Sequence, residues 1–261
     1  MRVLIVLYGI MRGNEESIES INSKLIQPLS NTNNIVDVYH FVHSIKNIAN
    51  PRSKEYGRLI QSDFSPFLNA TLVKFETKDL HHRSFESIIE STNDIYFDNF
   101  KSIKNLLFQL SLLKNSTYKV DYDKYDVIFL TRDDLLYKKA PNFHLDLEVY
   151  RKNIYFSIWG WHGGLSDRFV AGPANKIKVL ARRYDNIFSF LKKNENLHPE
   201  SLVLFSLKKI ENFYLASNFK FIRCRINGRL VKENFFFPFW RPKESIRIFM
   251  SNLRYILKRI F

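Results

Sequence analysis

The sequence predicts an α/β fold, a largely parallel sheet covered on both faces by helices. Three observations carry this. Val3–Tyr8 is an unbroken apolar run, followed by a glycine turn, an amphipathic stretch and a second apolar run, which reads as β-turn-α-β. Tyr125–Leu130 reads as another apolar strand, ending in Thr131-Arg132-Asp133-Asp134. The 261 residues are 45% hydrophobic and 15% aromatic, enough to fill the core of one large domain.

Val3–Tyr8 has no polar alternation, as a strand buried on both faces requires. Gly9–Asn14 is the turn after it. Glu15–Leu29 carries Ile18, Ile21, Leu25 and Ile26 at helical spacing, with Glu15 and Glu16 at the positive helix end. Val36–Val42 reads as the second strand. Residues 44–68 are polar and hold Pro51, Gly57 and Pro66, which predicts a long irregular or partly helical loop. Ala70–Glu76 is a third strand, and 98–114 a mostly buried helix. Ile154–Ile158 and Phe219–Ile226 read as strands, and Ala174–Leu191 and Pro199–Lys209 as helices. Proline is tolerated at the start of the latter. Pro238 and Pro242 flank a linker, so 1–240 is expected as one domain and 241–261 as a C-terminal basic amphipathic helix.

Lys and Arg number 40 against 26 Asp and Glu, a net charge of +14 that calls for an anionic partner. Ten of the basic residues lie in 223–261, against two acids. There Ile246, Phe249, Leu253, Ile256, Leu257 and Ile260 recur at helical spacing, behind the aromatic run 235–240. This reads as an interfacial anchor on an anionic membrane surface; the plainer reading is a terminal helix packed on the domain. The first apolar run is too short for a signal peptide, and no window approaches the ~20 apolar residues of a spanning helix. The single cysteine, Cys224, excludes a disulfide scaffold. The expected location is cytoplasmic, peripheral on the inner face of the membrane.

Four segments can carry chemistry. Asp133 and Asp134 end a strand, where ligands of open α/β sheets bind, and paired carboxylates suit a hard divalent cation. Arg132 beside them is a bidentate phosphate partner. Gly163-Gly164 permits close backbone approach, and Asp167 next to Arg168 is a candidate base or acceptor-hydroxyl ligand. Glu200 opens a helix. Gly9 and Arg12 follow the first strand, as in phosphate-binding turns. Each has a plainer reading as a capped turn or solvated ion pair. Nucleophile-elbow, paired-histidine zinc and kinase signatures are missing. His43 reads as structural or pocket-lining, and Cys224 as an inert strand residue.

Taken together, Leu4–Arg12, Tyr125–Leu135, and Gly163–Gly172 with Pro199-Glu200 behind it resemble bacterial and viral surface-polysaccharide glycosyltransferase-like proteins. The resemblance implies a GT-A-like, Rossmann-type mixed sheet and transfer from a nucleotide sugar to a glycan or lipid-linked glycan acceptor. It places Asp134 at the metal position, for Mg²⁺ or Mn²⁺. Gly9, Arg12, Arg132, Asp133, Gly164 and Arg168 would contact the nucleotide sugar. Asp167 and Glu200 would face sugar and acceptor as catalytic residues. The sequence departs from the pattern in carrying Arg-Asp-Asp instead of Asp-x-Asp, and no histidine after His198. The competing reading is a nucleic-acid-binding protein or metal-dependent nuclease. It is disfavoured because the basic residues concentrate at the chain end and no nucleic-acid module is present. A non-catalytic sugar-nucleotide binder is the third reading.

Overall fold

β1 (Arg2–Gly9) organises the molecule because its side chains are apolar on both faces. Leu4, Val6 and Tyr8 point into one core cluster, and Val3, Ile5 and Leu7 into another. This is the period-two alternation of a strand buried on both sides. The computed structural model describes residues 1–232, except 13, 51, 60–61, 140–142, 158–163, 195, 208–212, 217–219 and 227.

α1 (Glu15–Ile21) follows β1, with the Asn14 side chain accepting from Ser17 N at 3.0 Å as its cap. A π-helical turn (Asn22–Ile26) joins it to α2 (Gln27–Ser30). Pro28 has no N–H to give the preceding turn, so the ladder widens there. The chain continues through β2 (Ile35–His43), the hairpin β3 (Asn47–Asn50) and β4 (Glu55–Arg58), and β5 (Ala70–Phe75). Short helices α3 (Thr77–Leu80) and α4 (Phe85–Glu90) lead to the long α5 (Lys101–Lys119). Then come β6 (Val127–Arg132), β7 (Leu135–Lys139), α6 (Phe143–Lys152), β8 (Ile154–Ser157), β9 (Phe169–Pro173) and α7 (Ala174–Ala181). The order ends with α8 (Ile187–Leu191), α9 (Pro199–Ser206), β10 (Phe213–Ala216), β11 (Lys220–Cys224) and β12 (Leu230–Lys232).

Among the described residues, seven strands form one mixed sheet in the order β10-β8-β9-β6-β1-β2-β5. All pairings are parallel except those of β9, which is antiparallel to β6 and β8. The segment β5-β2-β1-β6 is the 3-2-1-4 order of a doubly wound sheet, and β1 and β6 flank its switch point. Leu112 and Leu113 of α5 cover one face; Ile21, Leu25, Leu147 and Tyr150 cover the other. A third cluster joins α4, α5, α8 and α9 through Phe85, Ile103, Leu107, Ile187 and Leu202. A small sheet, β12-β11-β7, stands beside the main one.

The mixed α/β sheet matches the expectation, with local differences that include an unread strand, β10, and an unread helix, α6. Residues 44–68 contain the hairpin β3-β4, which polar residues conceal from a hydrophobicity reading. The helix expected over 174–191 breaks at Arg182, where Arg183–Asn186 tighten into a 3-10 turn and Arg183 Nη1 donates to Leu180 O at 2.9 Å. The glycine-rich turn read through 163–172 gives way to β9 at Phe169. Leu135–Lys139, unassigned in the sequence, pairs with β11 and is held to α1 by Ser17, whose Oγ lies 3.0 Å from Asp133 O and from Leu135 O. The helix expected over 241–261 lies outside the described residues, as does Gly163. Among the described residues, no helix is long and apolar enough to cross a membrane.

One contact fixes the segment before β9 against α9. Leu165 N donates to Glu200 O at 3.1 Å, and a Cβ on Gly164 would lie 2.0 Å from that same oxygen. Backbone cannot yield as a side chain does. Gly164→Ala should therefore cost about 1–3 kcal/mol, the range of overpacked sites. Urea unfolding measures this, and an unchanged midpoint would show that the segment relaxes freely.

Candidate functional site

A cleft of about 740 Å³ opens at the carboxyl ends of β1, β2 and β6. That is where open α/β sheets bind ligands. Tyr8, Gly9, His43 and Arg132 form its floor from those strand ends. α5 gives one wall with Asn105, Phe108 and Gln109, and the β3-β4 hairpin contributes Asn50, Arg52 and Ser53. Arg223, Arg225 and Arg229 come from β11 and the turn after it. Asp167, Arg168, His198 and Glu200 close the far end. With Arg12, seven arginines line the cleft.

An alternating chain of charges runs along it. Arg225 Nη1 donates to Glu55 Oε2 at 2.8 Å, and Arg12 Nε to Glu55 Oε1 at 2.9 Å. Arg12 Nη1 lies 3.2 Å from Asp134 Oδ2. Arg132 grips Asp134 bidentately, Nε to Oδ1 at 2.8 Å and Nη2 to Oδ2 at 2.6 Å. Gln109 bridges onward, accepting from Arg132 Nη1 at 3.3 Å and donating to Asp167 Oδ2 at 3.4 Å. Arg168 Nη1 then contacts Asp167 Oδ1 at 3.2 Å and Glu200 Oε1 at 3.0 Å. His198 Nδ1 stands 3.2 Å from Glu200 Oε2.

The two ends differ in which charge faces the cleft. Glu55 and Asp134 are fully buried behind their arginines and do not line it. Burial opposes the charged form of Asp134, but the guanidiniums of Arg132 and Arg12 outweigh it and hold the carboxyl well below the usual range. Glu55 is lowered in the same way, against burial, by Arg12 and Arg225. At the far end the carboxylates themselves reach the cleft. Asp167 is also held low, with Arg168 and Arg132 outweighing burial. Glu200 is pushed up to about 7, first by burial and then by the charge of Asp167, with Arg168 only partly offsetting them.

Six of the nine residues expected at the site line this cleft: Gly9, Arg12, Arg132, Asp167, Arg168 and Glu200. Three are corrected. Asp134 is not an open metal ligand, because both its oxygens are taken by guanidiniums and its side chain is fully buried. Asp133 turns away from the cleft: its Oδ2 accepts from Met11 N at 3.1 Å and lies 3.3 Å from His40 Nε2. A Cβ on Gly9 would stand 1.9 Å from Asp133 Oδ1, so that glycine makes room for the carboxylate. Gly164 packs on the Glu200 backbone and is not part of the lining.

The residues do not fit the expected Mg²⁺ or Mn²⁺. A cation at Asp134 would meet two guanidiniums at contact distance, and its neighbour Asp133 points elsewhere. Among the described residues, no group of three His, Cys, Asp or Glu side chains is arranged to hold a metal ion. The same divergence removes the carboxylate pair on which a metal-dependent nuclease would rest.

His43 lines the cleft, and burial lowers its pKa to about 4, so it stays neutral at physiological pH. Cys224 is buried and its thiol is pushed up to about 11, first by burial and then by Asp134, as an inert strand residue should be. Sequence reasoning missed Arg52, Glu55 and Gln109 as site residues. It also counted Arg223, Arg225 and Arg229 with the membrane-facing tail, whereas all three line the cleft. Comparison with known proteins adds no relative, since neither a protein-family model nor a curated protein matches the chain.

Asp134→Asn should leave Arg132 and Arg12 buried beside a neutral partner and destabilise the fold by about 3–5 kcal/mol. Denaturant unfolding reads this directly. A residue serving only as a metal ligand would instead leave the metal-free protein's stability unchanged or raised.

Proposed function

We propose that the protein is a nucleotide-sugar-dependent glycosyltransferase of the GT-A-like class, extending a glycan or lipid-linked glycan acceptor. The observation that carries this reading is the cleft at the carboxyl ends of β1, β2 and β6, arginine-lined along its length and closed by an unequal pair of acids. A nucleotide sugar presents the matching charges: a diphosphate for the guanidiniums, and a sugar whose anomeric carbon must meet a hydroxyl and a base.

In the reaction, the acceptor hydroxyl oxygen forms a bond to the anomeric carbon. The bond from that carbon to the diphosphate oxygen breaks, and its electron pair leaves on the diphosphate. The acceptor proton passes to Glu200. Glu200 is the base because its pKa stands near neutrality, where proton transfer is most effective. Asp167, held ionised, positions Arg168 and stabilises positive charge developing on the sugar. Two acids with pKa values pushed apart by their surroundings divide these roles. Arg12 and Arg132, pinned by Asp134, face the leaving group in a site organised before substrate arrives.

The donor is found by a thermal-shift screen of nucleotide sugars, because a ligand of the native state raises its apparent stability by mass action. Turnover follows with that donor. With Glu200 as base, kcat/KM should rise with pH as the carboxyl ionises near 7 and then level off. Glu200→Gln should lower kcat by about 10²–10⁴-fold and remove the acid limb. Full activity in that variant would sink the assignment.

A further inference from the structure

Resting on the nucleotide-sugar reading, we propose that the acceptor proton reaches Glu200 through His198, whose imidazole meets the acceptor hydroxyl and makes His198 a further catalytic residue. The start of α9 sets the pair up. His198 precedes Pro199 and is held extended (φ −122°, ψ 131°), while Glu200 lies in the first helical turn. Both side chains line the cleft. His198 Nδ1 stands 3.2 Å from Glu200 Oε2, and both atoms are shut off from water. The contact is short enough for proton transfer but off the line of a hydrogen bond. Catalytic contacts commonly tighten from such geometry once substrate is bound.

Burial divides the roles. The side chain of Glu200 is 3% exposed and that of His198 is 24% exposed. Glu200 Oε1 accepts from Arg168 Nη1 at 3.0 Å, the guanidinium that also contacts Asp167 at 3.2 Å. The oxygen left to take a proton is therefore Oε2. Water does not reach Oε2, and a hydroxyl of the same size does not reach it either. The imidazole closes this gap, because its Nε2 lies across the ring from Nδ1. A carboxylate facing Nδ1 keeps the proton there and leaves the lone pair on Nε2. The acceptor oxygen bonds to the anomeric carbon and gives its proton to Nε2. The Nδ1 proton moves to Glu200 Oε2, so the ring stays neutral and Glu200 ends protonated. The electron pair of the broken sugar–phosphate bond leaves on the diphosphate. A carboxyl pushed up to about 7 holds the proton it is handed. The pair resets when Oε2 returns its proton to Nδ1 and Nε2 releases its own to water.

The test uses the full chain and the nucleotide sugar selected by the thermal-shift screen, with water as acceptor and release of the nucleoside diphosphate as readout. His198→Gln should lower kcat by at least about tenfold. Groups that act as one unit are not additive, so the double variant with Glu200→Gln should stay within about threefold of Glu200→Gln alone. A smaller loss in His198→Gln, or losses that multiply in the double variant, overturns the relay and leaves the nucleotide-sugar reading standing. Turnover of no nucleotide sugar by the wild type overturns both. Melting temperatures report whether the variants fold. A second measurement needs no ligand and no His198 variant: NMR titration of the assigned His198 ring in the wild type and in Glu200→Gln. Removing the carboxylate that stabilises the imidazolium should lower the His198 midpoint by at least about half a pH unit. An unmoved midpoint shows two groups that do not share a proton, and overturns the relay by itself.

Discussion

The buried carboxylate of Asp134 is the constraint on which the cleft depends. Taking such a charge out of water costs several kcal/mol, and only well-placed counter-charges offset it. Here two guanidiniums do so, Arg132 from its own strand end and Arg12 from the turn after β1. The same residue's backbone carbonyl accepts from Cys224 N at 2.8 Å, which brings in β11. Glu55, also fully buried, repeats the device by tying the β3-β4 hairpin to Arg12 and Arg225. Four segments remote in sequence thus converge through ion pairs. The arginines are fixed in direction because the acids behind them hold them there.

Along this chain of charges the chemistry changes. Where acids lie behind guanidiniums, the surface offered to a ligand is cationic and cannot titrate near neutrality. Where Asp167 and Glu200 share Arg168, the acids reach the cleft and one of them titrates near neutrality. One end presents fixed positive charge and the other an acid that titrates near neutrality. Gln109 spans the two, its amide contacting Arg132 on one side and Asp167 on the other.

The central strands were legible because burial on both faces leaves an unbroken apolar signature, as in Val3–Leu7 and Val127–Leu130. The hairpin Asn47–Arg58 was not, because its importance lies in one buried acid, Glu55, amid polar neighbours. Arg12, Arg132, Asp167 and Glu200 stood out as charged residues next to strand ends or a helix start. The role of Asp134 did not, because a carboxylate that binds a metal and one that binds two arginines look alike without their partners. Arg223, Arg225 and Arg229 were misplaced for a related reason. Charge counted along the chain joins them to the tail, whereas the β7-β11 pairing carries them to the cleft.

The most direct test of this account is a crystal structure of the protein grown with UDP or GDP and a divalent cation together. The diphosphate should lie in the cleft, its oxygens within hydrogen-bonding distance of Arg12, Arg132 and Arg225, while Asp134 keeps its bidentate hold on Arg132. A metal ion bridging the diphosphate to Asp134, with Arg132 turned away, would contradict it.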